Sequence, residues 1–251
     1  MWTDRVGLCS VTFRALPAID VARTATRAGL RIVEWGADVH APPESTSDVR
    51  DLTAASGLTT SSYGSYWRAG DHDIAEFGRV VDAAVTLGAP RIRVWAGSRG
   101  SADVSSATRA GTVAALRDAA ALAAARGVEV ALEFHAGTLT DTPESTLALL
   151  DAVDHTGLRT YWQPPVDEPA SRALAGLADL LPRVSAVHVF SWWPGHHRLA
   201  LADRADLWRG VLELVSPVAP LDLLLEFVPN DDPRLLAREA ATLLAWVRAA
   251  N

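Results

Sequence analysis

The chain has 251 residues, 49% of them apolar, which is ample for one large core, and its formal net charge of −7 excludes the basic face that nucleic-acid binding needs. All 23 basic residues are arginine. Without a lysine amine, Schiff-base aldolase chemistry, pyridoxal-phosphate attachment and a P-loop are excluded. The one cysteine, Cys9, cannot form an intramolecular disulfide and argues against a cysteine-based zinc site. No apolar run reaches the roughly 18 residues of a membrane span. The segment Met1-Trp2-Thr3-Asp4-Arg5 lacks the basic start and apolar stretch of a signal peptide, so a cytoplasmic protein is expected.

In chain order, β-rich runs at 6–11, 31–35, 58–62, 91–95, 129–134, 159–162, 186–190 and 221–228 alternate with longer amphipathic stretches. The clearest helical stretches are 74–87, 106–126, 146–153 and 233–249. Helix starts are expected at Thr142-Pro143-Glu144 and Asp231-Asp232-Pro233, where a polar cap precedes proline. Gly29, Gly57, Gly88 and Gly127 follow helical runs and precede strands, as helix-ending glycines do. Eight strand–helix alternations predict an α/β fold, a (β/α)8 TIM barrel, as a single domain over residues 1–251. A doubly wound open sheet usually carries a glycine-rich turn after its first strand. Here that turn reads Ser10-Val11-Thr12-Phe13-Arg14.

Barrel chemistry is built where strands finish, so polar residues there carry the functional signal. The fifth run ends Leu132-Glu133-Phe134-His135, the sixth Tyr161-Trp162-Gln163, the seventh contains Val187-His188-Val189, and the eighth ends Leu225-Glu226-Phe227. Glu133, Gln163, His188 and Glu226 thus occupy comparable places on four successive strands. Pointing inward, two carboxylates, an amide oxygen and an imidazole could hold a divalent cation. A structural salt bridge to Arg93 could instead explain one of Glu133 and Glu226, and Glu34, at the end of the second strand, could orient the site, though packing is the safer reading. His135, His196, Arg198, Trp67, Trp95 and Trp192 lie at or after strand ends and are the candidates for holding substrate. Trp208 and Trp246 lie on helices and are expected in the core.

This strand-end set, the phrase Ile32-Val33-Glu34-Trp35-Gly36 and the phrase Leu225-Glu226-Phe227 resemble the xylose isomerase-like barrels. That group includes sugar and sugar-phosphate isomerases, ketose epimerases, inosose dehydratases and apurinic-site endonucleases. The resemblance implies Mn2+, or Co2+, Mg2+ or Zn2+ in its place, on Glu133, His188 and Glu226, with the two glutamates carrying protons. Gln163 stands where the family usually has aspartate, and Val166 where many members have histidine. The implied activity is a metal-dependent sugar or keto-sugar isomerase or epimerase working through an enediolate. The alternatives are a keto-sugar or inosose dehydratase on the same site, and a non-catalytic sugar-binding barrel that has lost its metal. Seven histidines and the acidic balance argue against the endonuclease branch. The expected partner is a small sugar, with no nucleic acid and no membrane; a homodimer is compatible with the sequence, which leaves oligomeric state open.

Overall fold

Runs of β-branched and aliphatic residues, too short to make stable helices, pair side by side while the Ala- and Leu-rich segments between them pack outside. The computed structural model describes residues 2–218 and 221–250. The barrel strands are β1 (Val6–Cys9), β2 (Ile32–Gly36), β3 (Thr59–Arg68), β4 (Arg91–Trp95), β5 (Glu129–Leu132), β6 (Leu158–Trp162), β7 (Val184–Val189) and β10 (Asp222–Leu225). They close in the order β1-β10-β7-β6-β5-β4-β3-β2, with every neighbour parallel. A small antiparallel hairpin, β8 (Ser191–Trp192) with β9 (Arg198–Leu199), interrupts the loop after β7.

The outer ring comprises α1 (Ala18–Arg27), α2 (Thr46–Ala55), α3 (Ile74–Leu87), α4 (Ser106–Ala124), α5 (Pro143–Val153), α6 (Ala170–Leu180), α7 (Ala205–Val215) and α8 (Leu236–Ala249). Their starts follow capping chemistry. Asp73 accepts from Ala75 N at 2.8 Å, Ser105 from Thr108 N at 3.1 Å, and Thr142 from Ser145 N at 3.1 Å. Gly29, Gly57, Gly88 and Gly127 take φ values of 79°, 69°, 76° and 72°, the left-handed conformation that ends a helix. No helix among the described residues is long and apolar enough to cross a membrane.

The structure corrects several sequence-derived boundaries, mainly at the strands' outer ends. β1 stops at Cys9, because residues Ser10–Phe13 curl into a 3-10 turn whose Ser10 hydroxyl accepts from Gly36 N at 2.9 Å. β3 runs on to Arg68, whereas β5 and β10 stop at Leu132 and Leu225. α5 starts at Pro143, directly after its Thr142 cap, as the expected helix start has it, whereas a 3-10 turn over Pro233–Leu235 precedes α8. Glu133, Gln163 and Glu226 are therefore each the first residue after a strand, while His188 lies inside β7. Their backbones stay tied to the sheet all the same. Glu133 N donates to Val94 O at 2.9 Å and Glu226 N to Val189 O at 3.0 Å.

Inward-facing side chains stack in three layers, as alternation along tilted strands requires. At the N-terminal end Asp222 joins Arg5 (3.0 Å), Ser61 (2.7 Å) and Arg91 (3.2 Å), and Arg91 continues to Glu129 at 2.6 Å. The middle layer is largely apolar: Cys9, Ile32, Ala131, Tyr161, Ala186 and Leu224. Above it, at the C-terminal end, sit Glu34, Arg93, Glu133, Gln163, His188 and Glu226. The ion-paired bottom and dry middle close the barrel from below, so a ligand can reach the upper layer only from the loop side.

Candidate active site

The upper layer starts from period-two alternation. Arg91 and Arg93 flank Ile92 on β4, so both guanidinium groups face inward. Arg93 is 3% exposed, and its Nε donates to Glu34 Oε1 at 3.1 Å. Its Nη1 donates to Glu133. Gly64 on β3 makes room for this pair: a Cβ there would lie 2.9 Å from Arg93 Nη2 and 3.1 Å from Glu34 Oε1. Glu34 also accepts from the Ser62 hydroxyl at 2.7 Å.

His188 is fully buried beside this group. Its Nε2 faces Glu34 Oε1 at 3.5 Å, and its Nδ1 faces Gln163 Oε1 at 3.1 Å and Glu226 Oε2 at 3.5 Å. The Tyr161 ring meets the imidazole edge-on, with centroids 5.0 Å apart. Three carboxylates, one guanidinium and one imidazole thus share a space with little water. Burial pushes Glu34 up, but Arg93, His188 and Ser62 outweigh it and hold Glu34 well below the usual carboxylate range. Burial raises Glu226 to about 7, with the Glu133 charge adding to the shift and His188 opposing it. For His188, burial favours the neutral ring, but Glu226, Glu34 and Glu133 outweigh it and raise its pKa.

Above this floor opens a cavity of about 480 Å3, within the ~300–1,000 Å3 of small-molecule sites. Glu133, Gln163 and Glu226 line it, together with His135, Trp95, Trp192 and His196. Trp95 stacks on His135 at 4.5 Å between centroids, with the Arg68 guanidinium 4.1 Å from its ring. His188 lies just beneath and does not line the cavity. Two other candidates are placed elsewhere. Trp67 is 2% exposed, packs on Phe77 at 4.5 Å and donates to Asp73 O, so it belongs to the barrel–helix core. Arg198 pairs with Asp231, and its guanidinium lies 4.9 Å from the Phe227 ring, behind the cavity wall. Of the helix tryptophans, Trp208 is buried and Trp246 is half-buried against the core beside Arg209.

Sequence reasoning undervalued Glu34 and Arg93. Glu34 is an anchor of the upper layer, and Arg93 bridges it to Glu133, so of the two glutamates it is Glu133 that makes the salt bridge to Arg93, while also lining the cavity. The available signals were two arginines spaced by one residue on an otherwise apolar strand, and a glycine inside β3. Arg14 and Tyr66, which also line the cavity, hydrogen-bond to each other at 3.2 Å; nothing in their local sequence marked them.

Three of the four residues expected to hold a metal, Gln163, His188 and Glu226, lie close together, whereas the Glu133 carboxylate is turned to Arg93. Gln163 Oε1 and Glu226 Oε2 lie 3.1 and 3.5 Å from one imidazole nitrogen, close to the spacing of about 3 Å between neighbouring ligands around one small ion. Glu226 Oε2 is buried without a hydrogen-bond partner, an acceptor that an ion would satisfy. Cys9 lies beside a second group of possible ligands. Its sulfur, a Glu34 oxygen and a His188 nitrogen lie within 4.8 Å of one another in a buried mixed cluster. Glu34 in this group and Glu133 in the expected one both already accept from Arg93.

Comparisons with known proteins agree with this architecture. The family model described as "Xylose isomerase-like TIM barrel" matches residues 22–165, more than half of the chain. A 3-dehydroshikimate dehydratase of Bacillus anthracis is 46% identical over 69 residues, 28% of this chain and 25% of the relative, so the match spans a quarter of that relative's length. The crystal structure of the probable 3-DHS dehydratase involved in petrobactin synthesis from the same organism superposes with a TM-score of 0.80 at 22% identity, covering 95% of this chain and 98% of that one. The 3-keto-D-glucoside 4-epimerase of E. coli superposes with a TM-score of 0.75 at 17% identity, covering 98% and 99%. At such identities the superpositions establish the fold alone.

Proposed function

Because the chain belongs to the xylose isomerase-like TIM barrel family, we propose that it is a metal-dependent enzyme that withdraws a proton from the carbon beside a carbonyl in a keto sugar or related polyhydroxylated ring. The observation that carries this reading is the placement of two buried carboxylates, Glu133 and Glu226, on the floor of one cavity, on strands separated by β6 and β7. Glu133, Gln163, His188 and Glu226 would hold the ion, which when bound would polarise the substrate carbonyl as a Lewis acid.

The residues divide the remaining work. One glutamate removes the proton and the other returns one, to the opposite face for epimerisation or to the neighbouring carbon for isomerisation. Arg93 fixes the direction of the Glu133 carboxylate through their ion pair. Glu34 in turn holds Arg93 and faces His188 Nε2, so three strands set the position of one base. The dry middle layer keeps bulk water from reaching the floor from below.

A second outcome of the same step is favoured by one specific observation, the segment 46% identical to a 3-dehydroshikimate dehydratase. After the proton is removed, loss of a hydroxyl from the β-carbon gives dehydration. Both outcomes are tested together by incubating the protein with Mn2+ and a panel of keto sugars, inososes and 3-keto-glycosides in deuterated water. Deuterium should enter the carbon beside the carbonyl of at least one compound, or loss of water should leave a conjugated enone, and a chelator should abolish either. Neither exchange nor enone in any compound would overturn the proposal.

A further inference from the structure

The cavity is two-sided, and the division follows the barrel order. One arc, running from β1 through β10 and β7 to β6, carries an apolar wall of Val11, Phe227, Phe190, Trp192, Pro165 and Val166, with Gln163 and Glu226 at its foot and Arg14 and His196 also on this side. The opposite arc, on β3 to β5, presents Tyr66, Arg93, Trp95, Glu133 and His135, each able to hydrogen-bond a hydroxylated ring.

The apolar arc is a built surface. Phe190, Trp192 and Phe227 pack on one another with ring centroids 4.8 to 5.6 Å apart. Arg198 backs Phe227 from outside at 4.9 Å and is itself paired with Asp231. Phe227 holds its ring there at φ 52°, a left-handed conformation that is costly for a bulky residue and persists only where the surroundings enforce it. Val166 extends the wall to the rim and is 39% exposed, an apolar side chain left facing the opening.

This arc adjoins the reactive floor directly, since Phe227 follows Glu226 and Val166 lies three residues beyond Gln163. Both arginines that line the cavity are already committed, Arg14 to Asp38 and Arg93 to Glu34 and Glu133, so neither is left over for a phosphate or carboxylate. Hydroxyl groups turned towards Phe227, Phe190 and Val166 would lose water without gaining partners. The volume of about 480 Å3 falls in the range of drug-sized ligands, leaving room beside a single keto ring.

We infer that the substrate is a hydroxylated keto ring joined to a flat, uncharged, apolar group, with the ring held by the β3–β5 arc and the apolar group seated on Phe227, Trp192 and Val166. This rests on the proposed proton-abstraction chemistry for the identity of the ring, and on the wall alone for the identity of its substituent. Phe227, Trp192 and Val166 are then specificity residues. They choose the substituent and leave the proton transfer to the glutamates.

The test compares phenyl and methyl 3-keto-β-D-glucoside by calorimetric titration of the full chain with Mn2+ present, alongside deuterium exchange in each compound. The phenyl compound should bind at least about tenfold more tightly, as burying one aromatic face implies. Phe227→Gly, which removes the ring and suits the left-handed backbone, should reduce that preference to about threefold or less. Val166→His, a substitution at an exposed rim position, should also reduce it. Equal affinities, no binding of either compound, or an undiminished preference in both variants would overturn the inference. Exchange in the methyl compound without a phenyl preference sinks the inference and upholds the proton-abstraction reading. A phenyl preference without exchange in either compound does the reverse.

Discussion

The side-chain oxygen of Gln163 lies 3.1 Å from Nδ1 of His188, so an uncharged amide stands among the groups best placed to hold a cation. With Glu133 and Glu226 ionised and His188 neutral, this set supplies two negative charges, and an aspartate at 163 would supply a third. Hard divalent cations are held largely by such charge. Gln163→Asp should therefore bind Mn2+ at least about tenfold more tightly than the parent protein. Calorimetric titration of both proteins decides it, and equal or weaker binding by the variant would place Gln163 outside the ligand set.

Glu133 and Glu226 are the two carboxylates on the floor between β5 and β10. Glu133→Gln and Glu226→Gln should each lower turnover by at least about 100-fold, the usual cost of losing an acid–base group, with the far-ultraviolet circular dichroism unchanged. Near-normal solvent exchange in both variants would exclude them as proton carriers.

Arg93 is the guanidinium that bridges Glu34 and Glu133, and its loss would leave Glu133 buried without its ion-pair partner and Glu34 facing His188 alone. Arg93→Met should destabilise the fold by roughly 3–5 kcal/mol, the cost of breaking a buried pair from one side. Adding Glu34→Gln to that variant should recover part of the loss. Urea denaturation of the parent, single and double variants measures both effects. A single-variant loss below about 1 kcal/mol would show that Arg93 is not the partner that makes these carboxylates tolerable.

Gly64 lies on the strand next to both members of the Arg93–Glu34 pair. A Cβ at this position would sit 2.9 Å from the guanidinium and 3.1 Å from the carboxylate. Gly64→Ala should cost about 1–3 kcal/mol through overpacking and shift the Glu133 carboxylate through Arg93. The expected signature is reduced solvent exchange together with weaker Mn2+ binding, because Glu133 serves both. Full activity and full stability would show that the pair moves aside freely.

Much of the fold was legible in the linear sequence because its determinants are local. The run at 91–95 and the helix at 74–87 have the same limits in the structure, since one is a β-rich stretch and the other is an amphipathic stretch between an aspartate cap and a glycine. The Thr142 and Asp232 caps and the four left-handed glycines likewise act within a few residues of themselves. Eight repetitions of that local grammar suffice to predict a closed parallel barrel. The same alternation also marked Glu133, Gln163, His188 and Glu226 as candidates for its upper end.

Barrel closure decided what local pattern does not encode. Arg93 and Glu34 are 59 residues apart, and Glu34 lies still farther along the chain from His188; the parallel register of β2, β3 and β4 sets Arg93 beside Glu34, and closure through β10 and β1 brings His188 on β7 to it. Trp67 and Trp95 both look like pocket residues at the ends of strands. The extra length of β3 carries Trp67 into the helix layer, and Trp95 remains on the cavity. Arg198 looks like a free loop cation until the β8–β9 hairpin folds it behind Phe227, where Asp231 neutralises it. Hydrophobic periodicity records which face of a segment avoids water. The partner a buried charge meets depends on strand order and register, and these come into being only when all eight strands are paired.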